Sequence, residues 1–451
     1  MEPTQVSITI KTAVIAFLML VHIQFAAFLI GAWGLAVTAE FLGMLNLGHP
    51  HFDRFARSLA RTTVIMYSSG AVLAISFLVV ISLLFPVFWY TIMRITFWPL
   101  VMEGITFALT ILYLFPWYYT WDLLSGFKPV HLSLGLAILV VAELQQGMID
   151  VQAAYMLTSV PPGDLLRVFL NPGALPLDAH RLIGDLSFAG FVIAGYAAVR
   201  ALRAQDQERR AYYDWMGNLG LLAGLGFLFL QPAVGLSFVE EIRANSPGAF
   251  DAMMRGRLSW MFIMLAGLFS LLFCLSVYYM LLQAGKSRHQ GQRTLAAMLW
   301  VAVASSLLLI QPSTIGPSQR LLWINWVNPI GAMQPYKYIA FGGLTLAAMV
   351  ALLYYTGIVK RGIYWGRMDM GGRRAQWVLA TLAILTSVTM LTMGYVRENS
   401  RAPYLMYYRF RIEEPQQYPS PPGTPTPGTS LPSEQSGGGR GRGAAEGSAG
   451  R

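Results

Sequence analysis

The chain contains one cysteine, Cys274, in 451 residues. That excludes an intrachain disulfide and any cysteine cage for zinc or an iron–sulphur cluster. Charge is equally scarce. Asp, Glu, Lys and Arg make up 12% of the sequence against 55% hydrophobic residues, whereas a soluble domain carries about 25% charged residues. Residues 73–88 and 258–283 contain no charged side chain at all, which argues against a soluble globular fold. The opening MEPTQVSITIK lacks both a basic start and a small-residue cleavage site, so the first apolar run is expected to be a retained helix. The net charge of +10 suits the basic loops of a membrane protein, and no strand alternates basic and aromatic residues, so no nucleic-acid partner is expected.

Long apolar runs fill the rest of the chain. A membrane core takes about 20 apolar residues per helix. By that criterion the sequence predicts about ten spans, near residues 12–39, 63–88, 97–119, 132–157, 182–202, 216–238, 258–283, 295–311, 338–359 and 377–396. The expected fold is an all-α polytopic transmembrane bundle. Basic residues gather after the first, fifth, seventh and ninth spans (Arg54, Arg57 and Arg61; Arg200, Arg203, Arg209 and Arg210; Lys286, Arg288 and Arg293; Lys360, Arg361, Arg367, Arg373 and Arg374). Alternating helices bring those loops to one side, expected to be cytoplasmic, with both termini on the periplasmic side of a bacterial inner membrane. Residues 1–411 are read as the membrane domain. Residues 412–451, rich in Pro, Gly and Ser, are read as a disordered tail, in which GRGR could touch acidic lipid or a partner.

Ligand-type side chains inside a bilayer are costly unless paired or coordinated, so each is a functional candidate. His49, His51 and His289 fall in basic loops and read as solvated; His131, at the start of the fourth span, reads as a capping or interfacial residue. His22 lies roughly 15 Å along the first helix, and His180 opens the fifth after LNPGALPLDA. Each could pack as a core residue or serve as an axial haem ligand. Met264, in WMFIMLAG, is expected at the same depth as His180 and could supply a thioether opposite it. Glu103 lies in the third span, and Glu398 is placed just after the last. Glu143, Gln146 and Asp150 share one helical face at i, i+3 and i+7, a strip that could pass protons or simply bond helices together. Asp185 and Asn218 are weaker candidates.

These segments resemble cytochrome bd oxidase subunit I. WPLVMEGITF is similar to the family's third-helix segment with its buried glutamate. LNPGALPLDAH is similar to the LNP segment that ends in an axial histidine, and IMLAG to the segment bearing the partner methionine. GYVRENSRAPY resembles the GWxxxExGRQPW signature, His22 falls at the first-helix haem histidine, and KPVH at Lys128–His131 also has a counterpart. The resemblance implies a low-spin haem b held by His180 and Met264. It implies additional high-spin haem, b and/or d, served by His22, Glu103 and Glu398, with Arg401 balancing propionate charge. It also implies a second membrane subunit and a quinol or periplasmic cytochrome as electron donor.

Departures accompany the likeness. Ile111 stands where the family has a second glutamate on a proton route, and the Glu143–Gln146–Asp150 strip is the candidate substitute. The connection 239–257 is short where the family has a long quinol-binding loop. Two extra spans and the loop 312–338 precede the signature, which has lost one residue between glycine and glutamate and reads AP for QP. Three functions stay open at this point: an oxygen-reducing oxidase subunit, an electron-transfer subunit without oxygen chemistry, and an ion-coupled transporter.

Overall fold

The computed structural model describes residues 8–45, 51–158, 160, 165–256, 258–289, 291–310, 335–407 and 410–412. His49, the connection 311–334 and the tail 413–451 lie outside these, as do the expectations placed on them. Among the described residues, ten helices are long and apolar enough to cross a membrane. Their order confirms the all-α bundle.

The helices are α1 Ile8–Met44, α2 Phe52–Leu84, α3 Pro86–Ile95, α4 Phe97–Tyr119, α5 Lys128–Leu157, α6 Leu165–Phe169, α7 Ala174–Arg203 and α8 Gln207–Leu228. There follow α9 Gln231–Asn245, α10 Pro247–Met254, α11 Ser259–Ala284, α12 Gln292–Leu309, α13 Pro335–Tyr354 and α14 Met370–Ser400. A short hairpin of β1 Tyr404–Met406 and β2 Phe410–Arg411 closes the described chain.

Prolines redraw two of the expected spans. Pro86 has no backbone N–H and disfavours helical geometry at the residue before it. Phe85 accordingly takes φ −133° and ψ 60°, and α2 stops at Leu84 instead of running to residue 88. Pro232 sits in the first turn of α9, where a missing N–H costs least, so the expected span 216–238 is split between α8 and α9. The last helix is longer than expected. Glu398 therefore lies in the final turn of α14, not beyond it.

Helix α7 is the hub. It packs against α1, α5, α8, α9 and α14 and is the most buried of the spans. Small residues permit this crowding. A Cβ at Gly31 of α1 would collide with the Asp185 carbonyl oxygen of α7, and one at Gly190 of α7 would collide with the backbone of Gly224 on α8. Backbone approach of this kind is how helices gain packing contacts where lipid removes the hydrophobic drive. The inserted helices α12 and α13 pack on each other and on α11.

Contacts between connections fix which loops share an end. Lys128 donates to Asp53 at 2.5 Å, Arg54 lies over the Tyr212 ring at 4.0 Å, and Gln207 donates to the Trp365 carbonyl at 3.3 Å. Arg288 also meets the Tyr364 hydroxyl. The basic loops thus come together at one end. His51 is not simply solvated there; it packs edge-on against Tyr212 and Trp215 at 5.2 and 5.7 Å. Partial burial, with the Arg54 guanidinium beside it, lowers its basicity. His131 corrects its expectation more sharply. It is fully buried, 2.5 Å from Glu40 Oε1 through Nδ1 and 2.7 Å from the Trp117 carbonyl through Nε2, because α5 begins at Lys128 and carries it inside the helix. His289 is exposed, as expected.

The basic end is tied together by Asp214. Its carboxylate accepts from Lys286 Nζ at 2.8 Å, the Gly366 amide at 2.9 Å, Gln376 at 2.7 Å and Gln283 at 3.2 Å. Asp214 and Lys286 are both sealed from solvent. Nearby, Tyr355 donates to Asn218 at 2.5 Å, so Asn218 belongs to this inner packing.

Candidate haem and proton site

The opposite half of the bundle holds the sequence candidates. His180 lies in the second turn of α7, inside the helix and not at its start. Gln231, at the start of α9, donates to the His180 carbonyl at 3.1 Å, and its amide nitrogen is 3.2 Å from each ring nitrogen. The Phe238 ring stacks on the imidazole at 5.9 Å between centroids. The thioether beside it belongs to Met393 of α14, with Sδ 3.2 Å from Nε2. Met264 lies on α11 with its side chain 40% exposed.

His22 stands half-buried in α1, its Nδ1 buried without a hydrogen-bond partner among the described residues. The backbone of Gly70 on α2 is within hydrogen-bonding reach of the ring. Glu103 is half-buried and accepts from Gln152 of α5 at 3.1 Å. Glu398 is gripped from both sides, by Arg397 Nη1 at 2.6 Å and by Arg401 Nη2. Arg397 also donates to the Ala153 carbonyl at 2.9 Å, which joins the end of α14 to α5. Donors remain: Arg397 Nε and Arg401 Nε and Nη1 are buried and unpartnered.

The predicted strip on α5 meets a second one. Asp178, Arg181 and Asp185 repeat the i, i+3, i+7 spacing on α7 and face Glu143, Gln146 and Asp150. Arg181 pairs with Asp150. Asp178 lies within reach of both Asp150 and Glu143, and Asp185 faces Gln146. Sequence reasoning noticed the α5 strip but passed over Asp178 and Arg181, although the equal spacing was visible. Arg397, Gln231 and Met393 had no comparable signal.

Residues 12–256, just over half of the chain, match the family described as cytochrome bd terminal oxidase subunit I. The chain belongs to the cytochrome bd terminal oxidase subunit I family. No curated protein matches it. Among solved structures, the bd oxidase from Geobacillus thermodenitrificans is similar at 16% identity and a TM-score of 0.49, covering 86% of this chain and 98% of that one. Membership in the bd subunit I family makes the chain a multi-pass membrane protein of the oxidoreductase class, in a respiratory family whose members bind haem and work with a second subunit. His22, Glu103, Glu143, Gln146, Asp150 and His180 lie within the matched residues; Met264, Glu398 and Arg401 lie beyond them.

The side chains fit haem. Among the described residues no three His, Cys, Asp or Glu side chains converge as a cage for a bare ion. A porphyrin-held iron needs only one or two axial groups. The half-buried imidazoles of His22 and His180 are groups of that kind. The unpartnered guanidinium donors of Arg397 and Arg401 are suited to carboxylates such as propionates, which accept charge-assisted bonds.

Proposed function

We propose that this bd-family subunit binds haem and carries electrons from quinol or a periplasmic cytochrome to oxygen, within an oxidase that includes a second membrane subunit. The observation that carries the reading is the coexistence of His22 Nδ1 and the Arg397 and Arg401 donors, buried and unpartnered, in a chain of this family. A low-spin haem b would be held by His180, with a methionine opposite. Met264 is the family-like candidate, and Met393 is the thioether already at the imidazole. High-spin haem, b and/or d, would be served by His22, Glu103 and Glu398.

When bound, haem supplies one-electron redox chemistry and, where an axial position is open, a place for oxygen. The chain's own residues supply the surroundings. The Gln231 amide nitrogen beside the ring and Phe238 stacked on it orient the His180 imidazole. Arg397 and Arg401 offer positive charge to propionates. Gln152 holds the Glu103 carboxyl in place. With Ile111 replacing a carboxylate on α4, protons would be handled by the Glu143–Gln146–Asp150 strip.

A reduced-minus-oxidised spectrum of the purified protein, followed by carbon monoxide, tests this. Bands of both six-coordinate and carbon-monoxide-sensitive haem are expected; a colourless protein overturns the reading. One observation favours a second reading, electron transfer without oxygen chemistry: Glu398 is already committed to two arginines. That reading gains if the spectrum shows haem but no response to carbon monoxide.

A further inference from the structure

The facing strips on α5 and α7 form a cluster with more acid than base. Glu143 and Asp150 on α5 and Asp178 and Asp185 on α7 surround a single internal guanidinium, Arg181, with Arg397 of α14 the next nearest cation to Asp150. His22 of α1 lies within electrostatic range of the same arginine. Asp150 and Asp185 are sealed from solvent, at 0% and 3% exposure, and Gln146 at 2%. Their polar atoms are nevertheless left open. Asp150 Oδ2, Asp185 Oδ2 and both amide atoms of Gln146 are buried with no hydrogen-bond partner among the described residues, as is Glu143 Oε2.

Buried polar atoms are almost always satisfied by protein or by ordered water. Gln146 is informative because it is no acid. Its amide could have been replaced by an aliphatic side chain if the space were dry, yet it faces the Asp185 carboxyl with neither amide atom in a well-formed hydrogen bond. A set of unpaired donors and acceptors this close together matches bridging water, which bonds to two to four polar partners. Full ionisation of four carboxyls beside one guanidinium would leave an uncompensated negative charge in low-dielectric surroundings. Binding protons removes that charge.

We propose that Glu143, Gln146, Asp150 and Asp185 form a water-bridged proton-holding site in the membrane interior, which takes up a proton when an electron enters the neighbouring haem. The inference rests on the haem reading above. In the step, the electron would come to the haem from the quinol or cytochrome donor of that reading. One proton would pass from a bridging hydronium to a carboxylate oxygen of Asp185 or Glu143, so that one O–H bond breaks in the hydronium, one forms on the carboxyl, and water and a neutral acid are left. No other bond forms or breaks. The site lies one to two helical turns along α7 from His180, roughly 8 Å for the five residues to Asp185. That is close enough in a poor dielectric for electron and proton to attract strongly.

The test is redox-difference infrared spectroscopy of the haem-loaded protein in detergent. A carboxylic-acid carbonyl band should appear on reduction and shift in D2O. Asp185→Asn, nearly isosteric, should remove or displace it, and Glu143→Gln, at a half-buried position, serves if the first variant does not accumulate. Glu240→Gln, in an exposed ion pair with Arg243, should leave the band unchanged. In Asp185→Asn the haem potential should also depend less on pH than in the unaltered protein. A haem-loaded protein whose carbonyl region is the same in both cluster variants overturns this proposal while leaving the haem reading intact. A colourless protein overturns both.

Discussion

Two buried polar networks in one chain differ in how completely they are paired. At Asp214 both carboxylate oxygens are paired, by a lysine, a backbone amide and two glutamines from three separate segments. What is left unpaired among these groups is neutral, the amide oxygens of Gln283 and Gln376. Around Asp185 and Gln146 the atoms are equally buried but mostly unpaired. A buried network whose charges are paired rigidifies a fold, whereas one whose carboxylate oxygens are left open needs water or a ligand to be complete. The contrast separates a strut from a site without reference to sequence similarity.

Breaking the strut should produce the largest effect. Asp214→Ala leaves the Lys286 ammonium buried alone, and removing one member of such a pair costs about 3–5 kcal/mol. A sharply lowered unfolding midpoint in detergent, or loss of the folded protein, is expected; an unchanged midpoint would show that the network is slack. The Glu40–His131 pair should respond in the same direction but less. His131→Ala strands an acceptor and opens a cavity, for which about 2–3 kcal/mol is reasonable.

Substitutions in the open region should sharpen the contrast by acting on colour before stability. His22→Ala is expected to abolish the carbon monoxide response while sparing six-coordinate haem, with the unfolding midpoint shifted little in protein stripped of haem. Met264→Leu and Met393→Leu conserve volume and should cost less than about 1.5 kcal/mol each. Whichever of them converts the low-spin spectrum to high-spin identifies the thioether ligand; Met264 is the one proposed, and a change only in Met393→Leu would reassign the role. The smallest effect belongs to the surface. Asp122→Asn breaks an exposed pair with Arg57 and should change stability by no more than about 1 kcal/mol.

The amino-acid pattern itself made ten spans legible, because a bilayer demands length and apolarity, both of which are one-dimensional properties. It also placed His22 and Glu103 inside helices, since polar residues stand out in such runs, whereas His180 was set at the start of a span that begins two turns earlier. Helix ends were less legible. Glu398 and His131 were assigned to boundaries because a charged or capping residue near a span looks like its terminus, yet α14 and α5 continue around them.

Tertiary structure decided who meets whom. Periodicity showed that Glu143, Gln146 and Asp150 share a face, but only the packing of α5 on α7 set Asp178, Arg181 and Asp185 against them. Likewise Met393 is 213 residues from His180 along the chain, and no local spacing rule links them. The segment similarities suggested Met264, while the assembled helices set Met393 against the imidazole. Composition and period are set residue by residue along one helix. Pairing across helices depends on their rotation and depth, and the close approaches at Gly31 and Gly190 fix those only once the whole bundle has formed.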